Sequence, residues 1–551
     1  MRLRAPVKTF CCTRWSHIGA NVYASLRRLN LAMLLLEKFD ELLQPWRPAF
    51  AQQRTWQRAH RLAYGLLLCL RTHLTSNAIC AIGRQFLDWS ADYRLFSRSP
   101  WDPHALFDPI FDRLGALLSS PQAPVIAALD DTLCRKTGRH IPGATYARDP
   151  LSPPFHVNLV RGLRFVQASL IVRATRFLGP ARALPVRFEP APPAVKPPSL
   201  KGTDKRVRNS QRNQKKNQKK DAKKKTRVQA GKKQAVVSPE EKEYRLQKKL
   251  RALTQVGVRV LQSLRDALDA RPDTRQRQLL VSGDGSYTNR TVLRQLPKRT
   301  TFIGRIRKDA KLFLALPPLA ATRSGGRPRR YGSPAPTPEQ VLHDDTVPVV
   351  KVRCFAAGQV RQIPVKVVRT VYWRKAGPDM PLLLVVIKPL GYRLRKGSKL
   401  LYRQPAFLIC TDPQLDLQTL LQTYIDRWEI ECNHRDEKSL IGAAQGHVWS
   451  PLAVTRLPQF QVAIYSLLLL ASILAYGFQR TATYLPLPKW RRKSIRPSVL
   501  DLLNLLRDQI FARQTQDQAA SNIGDFAIPA PTDVNASKPP LGSETLCTVA
   551  A

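Results

Sequence analysis

The sequence predicts an α/β fold: a mixed sheet with flanking helices, interrupted by a β-rich insertion and preceded by a helical N-terminal domain. Three stretches carry the prediction. Pro124-Val-Ile-Ala-Ala-Leu-Asp130-Asp131 and Gln278-Leu-Leu-Val-Ser-Gly-Asp284 are short apolar runs that close on carboxylates, the pattern of a buried strand. Tyr424 to Lys438 contains neither Pro nor Gly and reads as one unbroken helix.

Residues 1–120 read mostly as helix. Asn21 to Leu43 carries Leu29, Met33, Leu36, Phe39 and Leu43 at helical spacing, and Pro45 and Pro48 end it. Thr55 is placed to cap a second helix to about Leu74, and Thr75 or Ser76 a third through Phe86. The break near Ser90 gives the run a loose likeness to a helix-turn-helix. A DNA-binding domain and a plain helical bundle both stand here, because helix pattern alone does not specify DNA.

The run ending at Asp130 and Asp131 opens the sheet, although core strands often end in Asp as a turn residue. Phe155–Leu159 and Arg164–Val172 read as two strands around Arg161-Gly162. Gly179 to Pro198 is Pro-rich and should be extended. Lys201 to Lys233 is a basic tract with almost no apolar residue, expected to be disordered alone and suited to holding phosphates without reading sequence. Ser238-Pro239-Glu240-Glu241 is a capping box, and Leu246, Leu250, Leu253, Val260, Leu264 and Leu268 continue the helix until Pro272. After the Asp284 run, Gly283 and Gly285 permit a tight turn, and Phe302 to Ile306 is the next strand.

From about 308 to 404 the pattern is β-rich, with strands at Val347–Cys354, Gln362–Tyr372 and Leu382–Ile387, followed by Ala406–Cys410. Trp373, beside Arg374 and Lys375, reads either as a stacking surface for an unpaired base or as a tryptophan packed at a strand end. Leu457 to Phe478 carries no charge and has the length of a membrane span. Pro458, Gln459, Gln461, Ser466 and Ser472 interrupt it, so it reads as a buried core helix and no membrane partner is expected. The chain should be helical to about Phe511, with a small, polar, disordered tail from 513 to 551.

Composition narrows the partner. Lys plus Arg number 90 against 39 Asp plus Glu, a formal charge of +51 in 551 residues. Such an imbalance favours a polyanion, nucleic acid first. The nine cysteines include no CxxC pair, which argues against a zinc site or a disulfide scaffold and for reduced thiols. Met1 to Lys8 is basic but no apolar core follows, so no signal peptide is expected.

On a helical wheel of about 100° per residue, with Tyr424 at the origin, Arg427 falls near −60°, Glu431 near −20°, Arg435 near +20° and Lys438 near −40°. One carboxylate thus shares a stripe with three cations and a tyrosine. Glu429 and Glu437 point away, at about +140° and −140°. A solvated charged helix would show such a stripe too, but so would a metal ligand flanked by phosphate-holding groups.

The spacing Tyr424-x2-Arg427-x3-Glu431-x6-Lys438 resembles the Y-R-E-K signature of bacterial insertion-sequence transposases of the DDE type. Asp130-Asp131-Thr132 with Lys136 and Gly138, and the Gly-Asp284-Gly strand, resemble their first and second catalytic blocks. The resemblance implies a ribonuclease-H-like core built from 121–178, 238–307 and 405–512. It is interrupted by a disordered Pro/Lys-rich basic insertion at 179–237 and the β-rich insertion 308–404, and follows a DNA-end-binding domain at 1–120. It implies catalytic and metal-binding roles for Asp130, Asp284 and Glu431, with Asp131 the alternative first ligand, and phosphate binding by Tyr424, Arg427, Arg435 and Lys438.

Oxygen ligands without His or Cys suit Mg²⁺ or Mn²⁺, and two ions about 3.5–4 Å apart can serve an in-line phosphodiester displacement. The implied partners are double-stranded DNA, as terminal inverted repeats and as target, and a second copy of the chain on paired ends. The implied location is the bacterial cytoplasm, at the nucleoid. Two alternatives remain: a ribonuclease-H-like nuclease that cuts without joining, and a non-catalytic basic nucleic-acid-binding protein.

Overall fold

The computed structural model describes residues 33–149, 152–153, 155–156, 158–174, 179–198, 238–317, 329–395, 397–491 and 494–522. The basic tract 201–233, most of the tail and the start of the Asn21–Leu43 helix lie outside the described residues.

Among the described residues, five α-helices precede the sheet: α1 (Leu34–Leu43), α2 (Gln53–Leu68), α3 (Thr75–Ala81), α4 (Ser90–Ser97) and α5 (Asp108–Leu117). Each buries an apolar stripe; α2 buries Ala59, Leu62, Ala63, Leu66 and Leu67. They share one core with the sheet that follows.

The first strands are β1 (Val125–Arg135), β2 (Thr145–Arg148), β3 (Leu159–Arg173) and β4 (Ala181–Pro190). Two helices, α6 (Pro239–Leu250) and α7 (Leu253–Asp269), lead to β5 (Leu279–Gly283) and β6 (Thr300–Arg305). β3 runs antiparallel to β1 and β4, whereas β5 and β6 run parallel to β1. The order β4-β3-β1-β5-β6, helices on both faces, is a ribonuclease-H-like core.

The sheet does not stop at β6. The later strands are β7 (Leu312–Phe313), β8 (Val349–Ala356), β9 (Gln359–Trp373), β10 (Gly377–Ile387), β11 (Gly391–Tyr392), β12 (Leu401–Tyr402) and β13 (Ala406–Cys410). β13 pairs with both β6 and β10, so the β-rich region joins the core in one eleven-stranded sheet. Among the described residues, β11 and β12 form a separate two-stranded ladder. The chain closes with α8 (Leu417–Asp426), α9 (Trp428–Ser439), α10 (Ala453–Tyr476) and α11 (Val499–Asn522).

Several expectations change. β1 does not end at Asp130 and Asp131: its parallel ladder with β5 stops at Leu129, but pairing with β3 carries it on to Arg135. Arg161-Gly162 is not a turn. Both residues lie inside β3, where a Cβ on Gly162 would sit 2.5 Å from the Cys134 carbonyl oxygen; glycine here serves close strand approach, not a bend. The Pro-rich segment is extended, as expected, but its first half is the paired and buried strand β4. The 238–271 helix is two, α6 and α7, separated at Arg251 and Ala252. The last helix runs past Phe511 to Asn522.

α10 is long and apolar enough to cross a membrane by composition, yet 94% of that window is buried inside the protein. Several of its polar side chains have internal partners. Ser466 Oγ donates to the Pro185 carbonyl at 2.6 Å, Tyr465 Oη to Asn433 Oδ1 at 3.0 Å, and Gln461 Nε2 to the Ile441 carbonyl at 3.2 Å. It is the core helix behind β4 and α9.

Candidate active site

β1 and β5 bring the first two acids together. In the parallel ladder Leu129 is opposite Gly283, so Asp130 and Asp284 leave the next positions of neighbouring strands, about 4.8 Å apart across the sheet. Successive side chains alternate faces. Asp130 therefore lies on the face where Ala128 packs against Ile430 of α9. Asp131 faces the other way, accepting a hydrogen bond from Tyr287 Oη at 3.3 Å and pairing with Arg164 Nε at 3.3 Å. α7 backs this arrangement: a Cβ on Gly257 would sit 2.7 Å from the Tyr287 ring, so the helix meets the buried tyrosine directly.

Asp284 is held by its own turn. Its Oδ1 accepts from the amides of Ser286 at 2.8 Å and Tyr287 at 3.3 Å, and its Oδ2 from Ser286 Oγ at 3.2 Å. This is an Asx turn, which fixes the carboxylate without a distant partner. Asp130 Oδ1 accepts from the Asp131 amide at 2.8 Å.

Glu431 arrives from α9. The expected unbroken helix over 424–438 is interrupted at Arg427, where α8 ends and α9 begins. The backbone there stays near φ −51°, ψ −30°, so this is a local kink and the wheel geometry is largely preserved. Asp416 caps α8 through the Thr419 amide, and Asp426 forms a buried ion pair with Arg173 at the end of β3. Ile430, Asn433, His434 and Glu437 seat α9. Arg427 then reaches both acids: Nη1 lies 3.3 Å from Asp130 Oδ2, and Nη2 lies 2.7 Å from Glu431 Oε1.

Electrostatics follow from this crowding. Burial, then repulsion from Asp284, pushes the Asp130 carboxyl up to about 7. Burial also raises Asp131, opposed by Arg164. Burial works against the Arg427 charge, but Glu431 and Asp130 hold it above the usual arginine value. His434, buried under the site, is pushed down to about 3 by desolvation and by the Lys438 and Arg427 charges.

Among the expected site residues, Asp130 neighbours Asp284 and is linked through Arg427 to Glu431, with Asp131 on the opposite strand face. Tyr424 is half-buried against the Leu420–Leu421 cluster, and the charge of half-buried Lys438 acts on Asp131. Arg435 stands apart: its side chain is 71% exposed and pairs with Asp436 at 2.9 Å. Trp373 is a correction. It is 7% exposed in the main core, and Lys375 Nζ covers its ring at 4.6 Å, so no open face is left for a base.

Glu437 points away from the Glu431 stripe, as the wheel gave, and into the protein: it is fully buried and accepts from Gln167 Nε2 at 2.9 Å. Two further residues had no role in the sequence reading. Tyr287 and Arg164 both hold Asp131, and Arg164 lies diagonally across the β1–β3 ladder from it. Only the strand register exposes that relation.

Among the described residues, no three His, Cys, Asp or Glu side chains already converge as a metal-binding group; a guanidinium stands between two of the acids. The donor set nonetheless fits a hard divalent cation. It is all carboxylate, part-buried and mutually repelling, so added positive charge would relieve the repulsion that raises Asp130. A family model described as a DDE superfamily endonuclease matches residues 47–377. The match takes in Asp130 and Asp284 and ends before Glu431. No curated protein matches the chain.

Proposed function

The chain belongs to the DDE superfamily endonucleases, and from that premise we propose that it is a DNA transposase, cleaving at the ends of an insertion sequence and joining those ends to target DNA. The observation that carries the reading is that two acids leave neighbouring strands and one arginine links the first of them to a third acid from a distant helix. Asp130 and Asp284 start from matched positions on parallel strands, and Arg427 ties Asp130 to Glu431.

In this reading Asp130, Asp284 and Glu431 hold Mg²⁺ or Mn²⁺. When bound, such ions supply charge neutralisation for the attacking and leaving oxygens of a phosphodiester displacement. The remaining work falls to the chain's own groups. Strand alternation favours Asp130 as the first ligand, with Asp131 in support through Tyr287 and Arg164. The Ser286 and Tyr287 amides keep the Asp284 carboxylate oriented while its neighbours change partners. Arg427 offers a planar fork and Lys438 a point charge to DNA phosphates, with Tyr424 beside them and Arg435 on the outer face of α9. The +51 formal charge draws the duplex in and makes binding salt-dependent. A pair of chains on paired ends accounts for the coordinated joining of both ends.

The test incubates the full chain with Mg²⁺ and labelled duplex carrying the inverted repeats that flank its gene, together with a target plasmid. Cleaved ends joined to the plasmid are expected, and Asp130→Ala, Asp284→Ala and Glu431→Ala should each lose cleavage while keeping DNA binding. Cleavage without joined product would favour the simple nuclease. Undiminished activity in Glu431→Ala would remove the third acid from the site.

A further inference from the structure

The ion pairs of Asp130 and Glu431 both go to the same side chain. Arg427 contributes Nη1 to Asp130 at 3.3 Å and Nη2 to Glu431 at 2.7 Å, and its side chain is only 17% exposed. A cation therefore already lies between two of the three acids, supplied by the protein. A divalent ion taking those oxygens must either displace the guanidinium or stand beside it, and like charges in a part-buried site repel strongly. The backbone has little freedom to carry Arg427 away. Asp426, the residue before it, is pinned by the buried pair with Arg173, and Ile430, three residues on, is fully buried. What can move is the side chain, and an arginine leaving two carboxylates needs another anion to take their place. A phosphate oxygen pair matches the guanidinium fork.

We propose that Arg427 is an exchangeable counter-ion: it holds Asp130 and Glu431 in the metal-free protein and releases them to divalent cations when a DNA phosphate takes over the guanidinium. Metal loading is then coupled to DNA binding, and by linkage each strengthens the other. Without DNA, the acids stay closed by their own arginine, and unproductive metal-dependent chemistry is suppressed. The inference rests on the reading of Asp130 and Glu431 as metal ligands.

The experiment measures Mn²⁺ binding to the full chain by the loss of the free-ion paramagnetic resonance signal. It is run with and without a duplex that already terminates at the end of the inverted repeat, so nothing remains to be cut. DNA should tighten Mn²⁺ binding to the unaltered chain by roughly tenfold, the scale of a charge-assisted hydrogen bond. Arg427→Gln should bind Mn²⁺ tighter by a similar factor without DNA, and DNA should add little. Arg427→Lys, with a single charged tip in place of a fork, should fall between. The sign discriminates: damage to the site would weaken binding in Arg427→Gln.

If Glu431→Gln weakens Mn²⁺ binding but Arg427→Gln leaves it equal or weaker, the metal site stands and the exchange is refuted. If the unaltered chain, Arg427→Gln and Glu431→Gln all fail to bind Mn²⁺ with DNA present, the metal reading falls and the exchange with it.

Discussion

Replacing Glu437 with glutamine should change how stability depends on pH, with a sign and size set by burial. Glu437 is 1% exposed, and desolvation raises its carboxyl from an ordinary 4.5 to about 8, with Gln167 and Lys438 opposing the rise. The unfolded chain releases this proton near the ordinary value, whereas the folded chain keeps it until about pH 8. Between those limits the folded state binds more protons, so raising the pH favours unfolding. Each pH unit in that window removes about 1.4 kcal/mol. From about pH 5 to about pH 8 the loss is about 4 kcal/mol, a large share of the ~5–15 kcal/mol typical of a folded domain.

An amide of the same shape cannot ionise, and it also brings an N–H toward Gln167 Oε1, which has no hydrogen-bond partner. Urea unfolding followed by tryptophan fluorescence, at about pH 5, 6.5 and 8, gives the comparison. The quantity to read is Glu437→Gln minus the unaltered protein. His434 acts in the opposite sense: its ring is held down to about 3, so its share of stability is lost as pH falls below about 6.5. That term cancels in the difference. The advantage of Glu437→Gln should grow steadily with pH. A difference that stays flat within about 1 kcal/mol would show that the carboxyl is solvated, and the packing of α9 on β3 would need revision.

Two other substitutions probe the frame around the site. Asp426→Ala leaves Arg173 buried without its partner and should cost about 3–5 kcal/mol, while Arg173→Met combined with Asp426→Leu should recover most of it. A cost under about 1 kcal/mol by urea unfolding would mean the pair is hydrated. Trp373→Ala should lower stability by about 3–5 kcal/mol, as for other buried aromatics, with DNA affinity of the folded protein little changed in a filter-binding assay. Unchanged stability with weakened DNA binding would restore Trp373 as a stacking surface.

The elements that sequence made legible are those in which a single segment carries its own signal. Apolar runs at 125–129 and 279–282 and the charge-free 457–478 stretch each report local burial and lie in the kind of element they suggested, and Ser238 caps a helix start through its own side chain. The misreadings arose where a partner strand decides the outcome. β1 looks finished at Asp130 because the apolar run stops there, yet β3 supplies ladder partners as far as Arg135. Gly162 has turn chemistry, but it is glycine because Cys134 passes so close. The Pro-rich segment hides a strand: β4 keeps Pro185 opposite Ser169 beside a register shift between Ala168 and Ser169 of β3, where Val186 is the extra residue of a bulge.

Helix angles fared better than environments. The wheel separates Glu431 from Glu437 correctly, but an angle does not say what each face meets: Glu437 is buried. The contacts of Arg427 and Arg164 join segments hundreds or tens of residues apart, and no periodicity in one segment encodes them.

The merging of the outer strands with the core has a consequence for how this architecture can vary. An appendage bolted onto a finished enzyme can be shed by its descendants. Here β13, the plank leading into the glutamate-bearing helices, is gripped by β6 along one edge and β10 along the other, and Leu420 and Leu421 of α8 rest on Val365, Leu383 and Val385. Deleting that region would unseat the hinge on which the third acid hangs. Length changes should therefore gather at hairpin tips such as Ala357-Gly358, and the breadth of the sheet should persist in any lineage that keeps Glu431 in use.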